Sequence, residues 1–331
     1  MIRLFEMFSG VGGASWALKK ADIEFKCIGT SEIYNAAITC FKNNFPGVIN
    51  YGDCKKINPS ELPDFDLLTG GFPCQPFSEA GKHKGELDTR GTLFHDIVRI
   101  AEVKKPKYML LENVKGLTFE THKGTFNKIL SELDRIGYVV YWKVLNSKNY
   151  GTPQSRERVF FVCFRKDIDI GFEFPKEEKL TLLLKDILEQ KMDGTVVSVA
   201  IRNKNRAKHQ AKGLPYGTFP IKYHLKHNKD IGVSYAVKSA THEFMVGRLN
   251  DVFAANMRLE KNGKLTPKEC FRLMGFFNDE INLDGLTEGQ KYNLAGNGWD
   301  INLVSKILVK MLSVKNVSRC GTQRKLIDIQ E

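Results

Sequence analysis

The sequence lacks the features that mark membrane-spanning, disulfide-linked and zinc-binding proteins. No stretch of its 331 residues approaches the ~18 consecutive apolar residues of a membrane span. Its seven cysteines are scattered and form no C-x-x-C pair, which argues against a disulfide framework and against a zinc site. The first residues enter a strand-like pattern at once and leave no room for a signal peptide. We therefore expect a cytoplasmic protein with reduced thiols, no metal and no membrane partner.

Acidic residues are absent from residues 195–229, a segment that carries eight lysines and arginines and three histidines. Aromatic residues are interleaved with them, and the whole chain has a formal net charge of +12. A run of lysines is often only a solvated basic face. An acid-free segment of this length with aromatic residues better suits a surface that contacts phosphates, so it favours a polyanionic partner. The candidate phosphate contacts are Lys204, Arg206 and Lys208.

The first half of the chain alternates short apolar runs with amphipathic segments, which is the pattern of βαβ units. It predicts strands at 4–8, 25–29, 65–69, 108–111, 139–144 and 159–164. It predicts helices at 14–21, 36–43, 93–103 and 125–136, and helical signals return at 267–274 and 302–312. The pattern breaks near residues 172–175, where a charged segment follows. The sequence thus predicts an α/β fold with a doubly wound, mostly parallel sheet and a second, smaller basic domain.

A glycine-rich turn follows the first predicted strand and opens the first predicted helix. Its residues are Phe8, Ser9, Gly10, Val11, Gly12 and Gly13. Glycines at such a turn let the backbone bend tightly and approach a ligand closely. The N-terminus of the helix behind them favours a negative group, such as the carboxylate of a methionine moiety. Many glycine-rich turns are only structural, so this turn alone is weak evidence for a cofactor.

Two acidic residues strengthen the cofactor interpretation. Glu32 lies nineteen positions after Gly13, at the end of the second predicted strand. A ribose-binding carboxylate belongs about there in a nucleotide-binding βαβ unit. Asp53 follows a possible further strand and is a candidate contact for an adenine amino group. The alternative for Asp53 is a turn-capping role, which Asp commonly has in loops.

One cysteine lies in a loop of special geometry. Gly70 and Gly71 follow the predicted strand 65–69, and Cys74 comes three residues later, after a proline. Ligands of open α/β sheets bind beyond the carboxyl ends of the strands, so this loop is a suitable place for a nucleophile. The alternative is an inert core thiol, which is the usual state of a free cysteine.

Other polar residues follow or precede predicted strands. Glu112 follows the strand 108–111, while Arg156 and Arg158 directly precede the run 159–164. Asn297 lies near the C-terminal end of the sequence. If the sheet is parallel, these residues and Cys74 converge at one edge. A carboxylate at the end of a buried strand is costly without a partner, so a structural ion pair with an arginine is the alternative to a catalytic role.

The ordered motifs carry a specific resemblance. They are F-S-G-x-G-G at 8–13, P-C-Q at 73–75, E-N-V at 112–114, Q-x-R-x-R at 154–158, R-L-M-G-F at 272–276 and G-N at 296–297. This set resembles that of the DNA cytosine-C5 methyltransferases, over roughly residues 1–165 and 264–312. The chain departs from the family pattern at Glu6, where Asp is common, and at Gly298–Trp299, which replaces Ser/Ala-Val.

The resemblance implies S-adenosylmethionine as cofactor, S-adenosylhomocysteine as product and double-stranded DNA as substrate. It implies that Cys74 adds as a thiolate to C6 of a flipped-out cytosine and that Glu112 contacts the N3/N4 edge. A nearby arginine would help Cys74 to ionise, for which Arg156 is the best candidate, and Arg158 belongs to the same catalytic set. The resemblance adds to the glycine-rich turn, Glu32 and Asp53 the following cofactor-binding residues: Ile33, Cys54, Pro73, Leu93, Asn297 and Gly298. It also adds Gln75 and Ser78 as DNA contacts.

The resemblance also implies a domain division and partners. We expect a catalytic, cofactor-binding domain at 1–175 and 286–331 and a target-recognition domain at 176–285. We expect a monomeric modification enzyme of bacterial or phage type. Enzymes of this type are often paired with a cognate restriction endonuclease. Three alternatives stay open at this point: an RNA cytosine-C5 methyltransferase, a non-enzymatic DNA-binding regulator with the same fold, and a nicotinamide oxidoreductase that uses the glycine-rich turn.

Overall fold

The structure is a computed structural model that describes residues 1–72, 93–169, 171–189, 265–278 and 280–313, with only the backbone described at 184–185 and at 234–235. The described strands are β1 (Ile2–Met7), β2 (Phe25–Ser31), β3 (Leu67–Gly71), β4 (Tyr108–Val114), β5 (Tyr138–Asn146), β6 (Gln154–Ser155), β7 (Glu157–Arg165) and β8 (Ser234–Tyr235). The described α-helices are α1 (Gly13–Lys20), α2 (Asn35–Asn44), α3 (Leu93–Lys104), α4 (Lys123–Arg135), α5 (Leu184–Ile187), α6 (Pro267–Arg272), α7 (Glu288–Asn297) and α8 (Ile301–Leu312).

Six strands form one mostly parallel sheet in the order β2-β1-β3-β4-β7-β5. The pairs β1–β2, β1–β3 and β3–β4 are parallel. Strand β7 runs antiparallel to both of its neighbours, so β5 points the same way as β4. The α/β prediction with a mostly parallel sheet is confirmed. A separate pair, β6–β8, is parallel and two residues long.

Helices cover both faces of the sheet because the strand residues alternate between two cores. Leu4, Leu67 and Leu110 point into one core, which also contains buried residues of α1, α2 and α8. Phe5, Leu68 and the residues next to Leu110 point into the other core, with α3 and α4. Successive side chains of a strand point to opposite faces, and strands buried on both faces read as continuous apolar runs. This explains why the apolar runs predicted the strands.

The segment around α6 packs into the first of these cores. Phe276 contacts Trp16 of α1, with the ring centroids 5.4 Å apart. The Gln154 side chain donates to the Leu273 carbonyl, and the Ile301 amide donates to Met274 O. These contacts attach residues 271–276 to the sheet-bearing core, although they fall within the predicted second domain, 176–285. The division into two domains stays a prediction, because most of 190–264 lies outside the described residues.

Candidate active site

The candidate site lies at the edge where the parallel strands end. The glycine-rich turn follows β1, Gly71 ends β3, and Glu112 lies near the end of β4. Because β7 is antiparallel, it begins at this edge, and Arg158 pairs with Val114 of β4. The predicted convergence depended on a parallel arrangement. Arg156 and Arg158 instead reach the site because β7 is antiparallel. Arg158 lies at its start and Arg156 just before it, at the edge where the parallel strands end.

A pocket with about 420 Å³ of empty space, part of it open to solvent, occupies this edge. Five predicted cofactor residues of the glycine-rich turn line it: Phe8, Ser9, Gly10, Val11 and Gly13. Three further predicted residues line it too: Glu112, Asn297 and Gly298. The predicted residues that are described but lie outside this lining are Gly12, Glu32, Ile33, Asp53, Cys54, Leu93, Arg156 and Arg158. Sequence reasoning missed several lining residues: Glu6, Met7, Ala14, Thr69, Gly71 and Trp299.

The glycine-rich turn holds a backbone shape that other residues rarely adopt. Gly10 and Gly12 have φ values of +54° and +87°, and Phe8 shares this left-handed region at +53°. A Cβ on Gly12 would lie 2.8 Å from the Phe41 ring, so only glycine fits there. The Ser9 hydroxyl oxygen is buried and has no hydrogen-bond partner among the described residues. Such an orphaned group in a pocket wall suits a polar ligand.

Glu6 occupies part of the helix N-terminus that the sequence pattern assigned to the cofactor. Its carboxylate accepts hydrogen bonds from the amides of Ala14 (3.1 Å) and Ser15 (3.0 Å) and from the Ser15 hydroxyl. Burial raises the pKa of Glu6 to about 7, against these three bonds, which lower it. The amides of Val11 and Gly13 have no acceptor in the described part of the chain, so these two donors remain for an anion.

Glu32 and Ile33 lie just beyond the end of β2. The Glu32 carboxylate accepts hydrogen bonds from the amides of Gly10, Ile33 and Tyr34, each at 2.9 Å. One oxygen takes two of these bonds and the other takes one, so a carboxylate with about four lone-pair sites can still accept a ligand hydroxyl. Ile33 is 72% exposed, which leaves an apolar surface beside Glu32 for a ligand ring.

Asp53 and Cys54 lie at the start of a short 3₁₀ helix, Cys54–Lys56. The Asp53 carboxylate accepts from the Lys55 amide at 3.1 Å, which is the turn-capping role that the sequence left open as the alternative. Its second oxygen has no partner in the described residues, so capping does not preclude ligand contact. Cys54 is buried, and burial raises the pKa of its thiol to about 12.

Glu112 forms an ion pair with Arg158 at the pocket wall. Arg158 Nε lies 2.9 Å from Glu112 Oε1, and the two side chains are 20% and 12% exposed. A Cβ on Gly71 would lie 3.3 Å from Glu112 Oε2 and 2.7 Å from Trp299 Nε1. The absence of a side chain at Gly71 therefore keeps the second carboxylate oxygen and the indole at the pocket. This is the structural ion pair that the sequence offered as the alternative to a catalytic role for Glu112. The ion pair uses Oε1 and leaves Oε2 available to a ligand.

Arg156 is buried and supports the pocket from behind. Its Nη2 donates to Gly298 O at 2.9 Å and to Gly296 O at 3.3 Å. Burial and the neighbouring Arg158 lower the pKa of Arg156 to about 9, whereas Glu112 and Asp300 raise it. The geometry therefore gives Arg156 a role that its sequence position did not predict, which is to hold the backbone on both sides of Asn297.

Asn297 and Gly298 end helix α7 at the pocket rim. Asn297 is exposed, and its side-chain amide donates to the Asn293 side chain at 2.6 Å. Trp299 follows and stands over the glycine-rich turn, since a Cβ on Gly13 would lie 3.1 Å from Trp299 Cβ. Trp299, where the sequence departs from the family pattern, therefore forms part of the pocket wall. Leu93 begins α3 and packs against the core that contains Phe94.

Several predicted site residues lie outside the described residues. They are the nucleophile candidate Cys74, its neighbours Pro73, Gln75 and Ser78, and the phosphate contacts Lys204, Arg206 and Lys208. The structure therefore brings together the cofactor turn and the Glu112–Arg158 pair, and it leaves the roles of these other residues as predictions. Among the described residues, no group of three or more His, Cys, Asp or Glu side chains could hold a metal ion. None of the described helices is both long and apolar enough to cross a membrane.

The described residues fit S-adenosylmethionine. Val11 and Gly13 offer amide donors for a carboxylate, and Ser9 offers a buried hydroxyl in the same wall. Glu32 has acceptor capacity for a ribose hydroxyl at the end of β2. A helix N-terminus that binds an anion suits the carboxylate of the methionine part of this ligand. A protein carboxylate at the end of the second strand suits the ribose hydroxyls of its nucleoside part.

Comparison with known proteins supports the same assignment. A family model described as C-5 cytosine-specific DNA methylase matches residues 2–313. The type II methyltransferase M.NlaX of Neisseria lactamica is 33% identical over 317 residues, covering 94% of this chain and 96% of that protein. M.NlaIV of the same organism is 44% identical over 200 residues, which are 57% of this chain and 46% of that relative. The chain thus aligns with less than half of the length of M.NlaIV.

A solved structure shares the fold. A crystal structure of a triple-alanine variant of Spodoptera frugiperda DNMT2 superposes with a TM-score of 0.72 at 21% identity. The match covers 94% of this chain and all of that chain. The resemblance seen in the ordered motifs is confirmed. The chain belongs to the C-5 cytosine-specific DNA methylase family, and its enzyme class is DNA (cytosine-5-)-methyltransferase.

Proposed function

We propose that the enzyme transfers a methyl group from S-adenosylmethionine to C5 of a flipped-out cytosine within a short, specific duplex DNA sequence. One observation chiefly supports this proposal. The Glu112–Arg158 pair and the glycine-rich turn meet at one pocket, so a carboxylate that can contact a base edge lies beside a turn that can hold the cofactor. When bound, S-adenosylmethionine supplies an electrophilic methyl group on a sulfonium.

Cys74 is the proposed nucleophile. Its thiolate adds to C6 of the cytosine, which makes C5 an enamine carbon able to take the methyl group. C5 takes the methyl group as S-adenosylhomocysteine leaves. A base such as water then takes the C5 proton, and the electron pair of that C–H bond re-forms the C5–C6 double bond as the C6–sulfur bond breaks to release the thiolate. Because the target atom is inaccessible in a base stack, the cytosine has to leave the duplex first. Strand β3 ends at the pocket with Gly71, and Cys74 follows Gly71 by three positions in the sequence.

Glu112 and Arg158 act on the base edge in this proposal. Arg158 holds Oε1 of the carboxylate, which leaves Oε2 to face the pocket beside Gly71. A carboxyl group there can hydrogen-bond to the N3/N4 edge and favour a protonated N3 as the thiolate adds to C6. Arg156 supports the rim through the carbonyls of Gly296 and Gly298.

Partners and cellular location are part of the same proposal. We propose double-stranded DNA as the substrate, a cognate restriction endonuclease as a functional partner, and a monomer that needs no metal and works in the cytoplasm. We also propose that residues 176–285 contain the target-recognition domain. The acid-free segment 195–229 supports this assignment, because a basic surface suits contact with DNA phosphates.

The test of the proposed function is methyl transfer from radiolabelled S-adenosylmethionine to duplex DNA and to tRNA, measured side by side. We expect label in duplex DNA, and bisulfite sequencing of that DNA should locate 5-methylcytosine in one short sequence. Label in tRNA alone would replace the proposal with RNA methylation. Label in neither substrate, with DNA binding intact, would favour a regulator that has the fold without the activity.

The DNA-contacting role of the basic segment gives a separate prediction. Replacing Lys204, Arg206 and Lys208 with Ala should weaken binding to all duplexes, because every phosphate contact removed reduces counterion release. The slope of log affinity against log salt should fall by roughly one unit for each such contact. Fluorescence anisotropy at several salt concentrations measures both quantities.

A second triple variant is the control for this prediction. Replacing Lys42, Lys123 and Lys166 with Ala removes three exposed lysines of the predicted catalytic domain, so the change in net charge is the same. Its salt slope should stay close to that of the wild type. An unchanged slope in the variant of the basic segment would mean that the segment is only a solvated face.

A further inference from the structure

The side chain of Asn50 forms four hydrogen bonds in the loop that follows α2. Its Oδ1 accepts from Thr30 Oγ1 at 3.2 Å, from the Glu32 amide at 3.0 Å and from the Gly52 amide at 3.3 Å. Its Nδ2 donates to the Glu32 carbonyl at 3.0 Å. Asn50 belongs to none of the ordered motifs, and Thr30 and Glu32 lie about twenty positions earlier in the chain.

These bonds join the end of β2 to the turn that precedes Asp53. The Ser31 hydroxyl donates a further bond to Gly52 O at 2.7 Å, and Gly52 has a φ of +71°. Both polar atoms of the Asn50 side chain contact the backbone of Glu32, one at its N–H and one at its carbonyl. The backbone of Glu32 is therefore fixed from two sides by a single side chain.

The position of Glu32 matters beyond its own backbone. Its carboxylate accepts from the Gly10 amide at 2.9 Å, in the turn that lines the pocket. Asn50 thus links three segments by hydrogen bonds: it bonds to Gly52 in the turn before Asp53 and to Glu32, and Glu32 in turn bonds to Gly10. Asn50 itself is absent from the pocket lining, so any effect on a ligand passes through these residues.

Only an amide supplies what this site uses. The oxygen accepts from three donors, of which Thr30 Oγ1 and the Gly52 amide lie at the longer distances of 3.2 and 3.3 Å, and the nitrogen donates to a carbonyl. An amide side chain offers both an acceptor and a donor. Asp would keep the acceptor, lose the donor and place a negative charge close to the backbone of Glu32. Ala would leave the Glu32 and Gly52 amides without their acceptor. Backbone groups that lose a partner cost free energy or move to find another one.

We infer that Asn50 is a positioning residue for the cofactor, which fixes Glu32 and the turn before Asp53 relative to each other so that both acids meet the nucleoside. The inference rests on the proposed function, since it takes S-adenosylmethionine as the ligand. Asn50 touches neither the cofactor nor the base in this assignment. Asn50 affects the affinity for the cofactor. The rate of methyl transfer depends on other residues, such as Glu112.

The experiment compares Asn50→Ala with Asn58→Ala in the full-length enzyme. Asn58 is a matched control, because its side chain also accepts from a backbone amide (Ser60, 3.2 Å) and donates to an oxygen (Glu61, 2.8 Å), and both of these partners lie in its own turn and not in β2. Isothermal titration with S-adenosylhomocysteine gives Kd, and steady-state methylation of DNA gives kcat and the KM for S-adenosylmethionine. We expect Asn50→Ala to raise Kd and KM about tenfold, the loss of roughly one net hydrogen bond, with kcat at saturating cofactor nearly unchanged.

A double variant separates positioning from general stability. If Asn50 acts through Glu32, then Asn50→Ala should weaken cofactor binding much less in a Glu32→Ala background than in the wild type, because coupled residues are not additive. A residue that only stabilises the loop would lower Tm without changing Kd. An unchanged Kd in Asn50→Ala, or full additivity in the double variant, overturns the inference.

A conservative variant covers the case in which Asn50→Ala fails to fold. Asn50→Asp keeps the acceptor oxygen; weaker cofactor binding by this variant supports the inference, and wild-type Kd overturns it. If the wild-type enzyme binds neither S-adenosylmethionine nor S-adenosylhomocysteine, the proposed function fails as well. A wild-type enzyme that binds both, with an Asn50→Ala variant that binds equally well, refutes only the role of Asn50.

Discussion

Replacing Cys74 with Ser is expected to abolish methylation of DNA while cofactor binding and DNA binding survive. A hydroxyl has a far higher pKa than a thiol, so serine cannot readily supply the anion that adds to C6. Loss of a covalent nucleophile lowers kcat on the order of a thousandfold or more. The measurement is single-turnover methyl transfer with saturating enzyme, beside anisotropy for DNA binding.

A second cysteine offers the matched control. Cys40 is buried in α2, its thiol contacts Asn282 O at 3.7 Å, and burial raises its pKa to about 12. Cys40→Ser makes the same chemical change at a residue outside the pocket lining and should leave methylation intact. Loss of activity in both variants would point to general damage by serine instead of a missing nucleophile.

The covalent step has its own test. DNA that carries 5-fluorocytosine at the target has no proton to lose from C5, so the enzyme should remain attached through Cys74. A denaturing gel should show this complex with the wild type and not with Cys74→Ser. Normal methylation of ordinary DNA without any trapped complex would overturn the covalent mechanism.

The strands of the sheet and the edge that carries the pocket were predictable from the sequence. Buried strands such as β3 and β4 are continuous apolar runs, and their polar or glycine residues mark where they end. Glu112 was expected just after the strand 108–111, whereas β4 extends to Val114 and includes it. This difference is small because hydrogen bonds to β7, and not side-chain type, decide the last residues of the strand.

The direction of β7 could not be read from its residues. Its run at 159–164 is apolar whether the strand is parallel or antiparallel, because both of its faces are buried. Direction depends on the path of the chain between β5 and β7, where residues 147–150 form a short 3₁₀ turn. Arg158 lies at the start of β7 in either case, and that path decides at which edge of the sheet the start lies, and so whether Arg158 reaches Glu112.

The roles of Glu6 and Asn50 were equally hidden. Glu6 reads as one more residue of β1, and only the folded contact with Ala14 and Ser15 shows that it takes two amides of α1. Asn50 reads as a loop asparagine, and its bonds to β2 and Glu32 depend on tertiary proximity. Single side chains that bridge distant segments leave no periodic signal, so motif spacing finds the ligands of a site more readily than their supports.

Replacing Glu112 with Gln is expected to leave cofactor binding intact and to lower kcat by about two to four orders of magnitude. The amide has nearly the shape of the carboxylate, but it cannot serve as the acid that favours a protonated N3. Rapid-quench measurement of methyl transfer gives the chemical step, and titration with S-adenosylhomocysteine gives the cofactor affinity.

The competing role of Glu112 is its ion pair with Arg158, and the same variant separates the two roles. If the carboxylate served only Arg158, Glu112→Gln would lower Tm, because the amide removes the negative charge that neutralises a mostly buried guanidinium, while kcat would stay near that of the wild type. Glu157→Gln is the matched control, since it removes an exposed carboxylate one residue from Arg158 whose partner is Lys115, at 3.0 Å. That variant should keep both kcat and Tm, because exposed ion pairs contribute little. A kcat that falls in Glu112→Gln and not in Glu157→Gln therefore assigns Glu112 to the base edge, and a near-normal kcat with a lowered Tm assigns it to Arg158 alone.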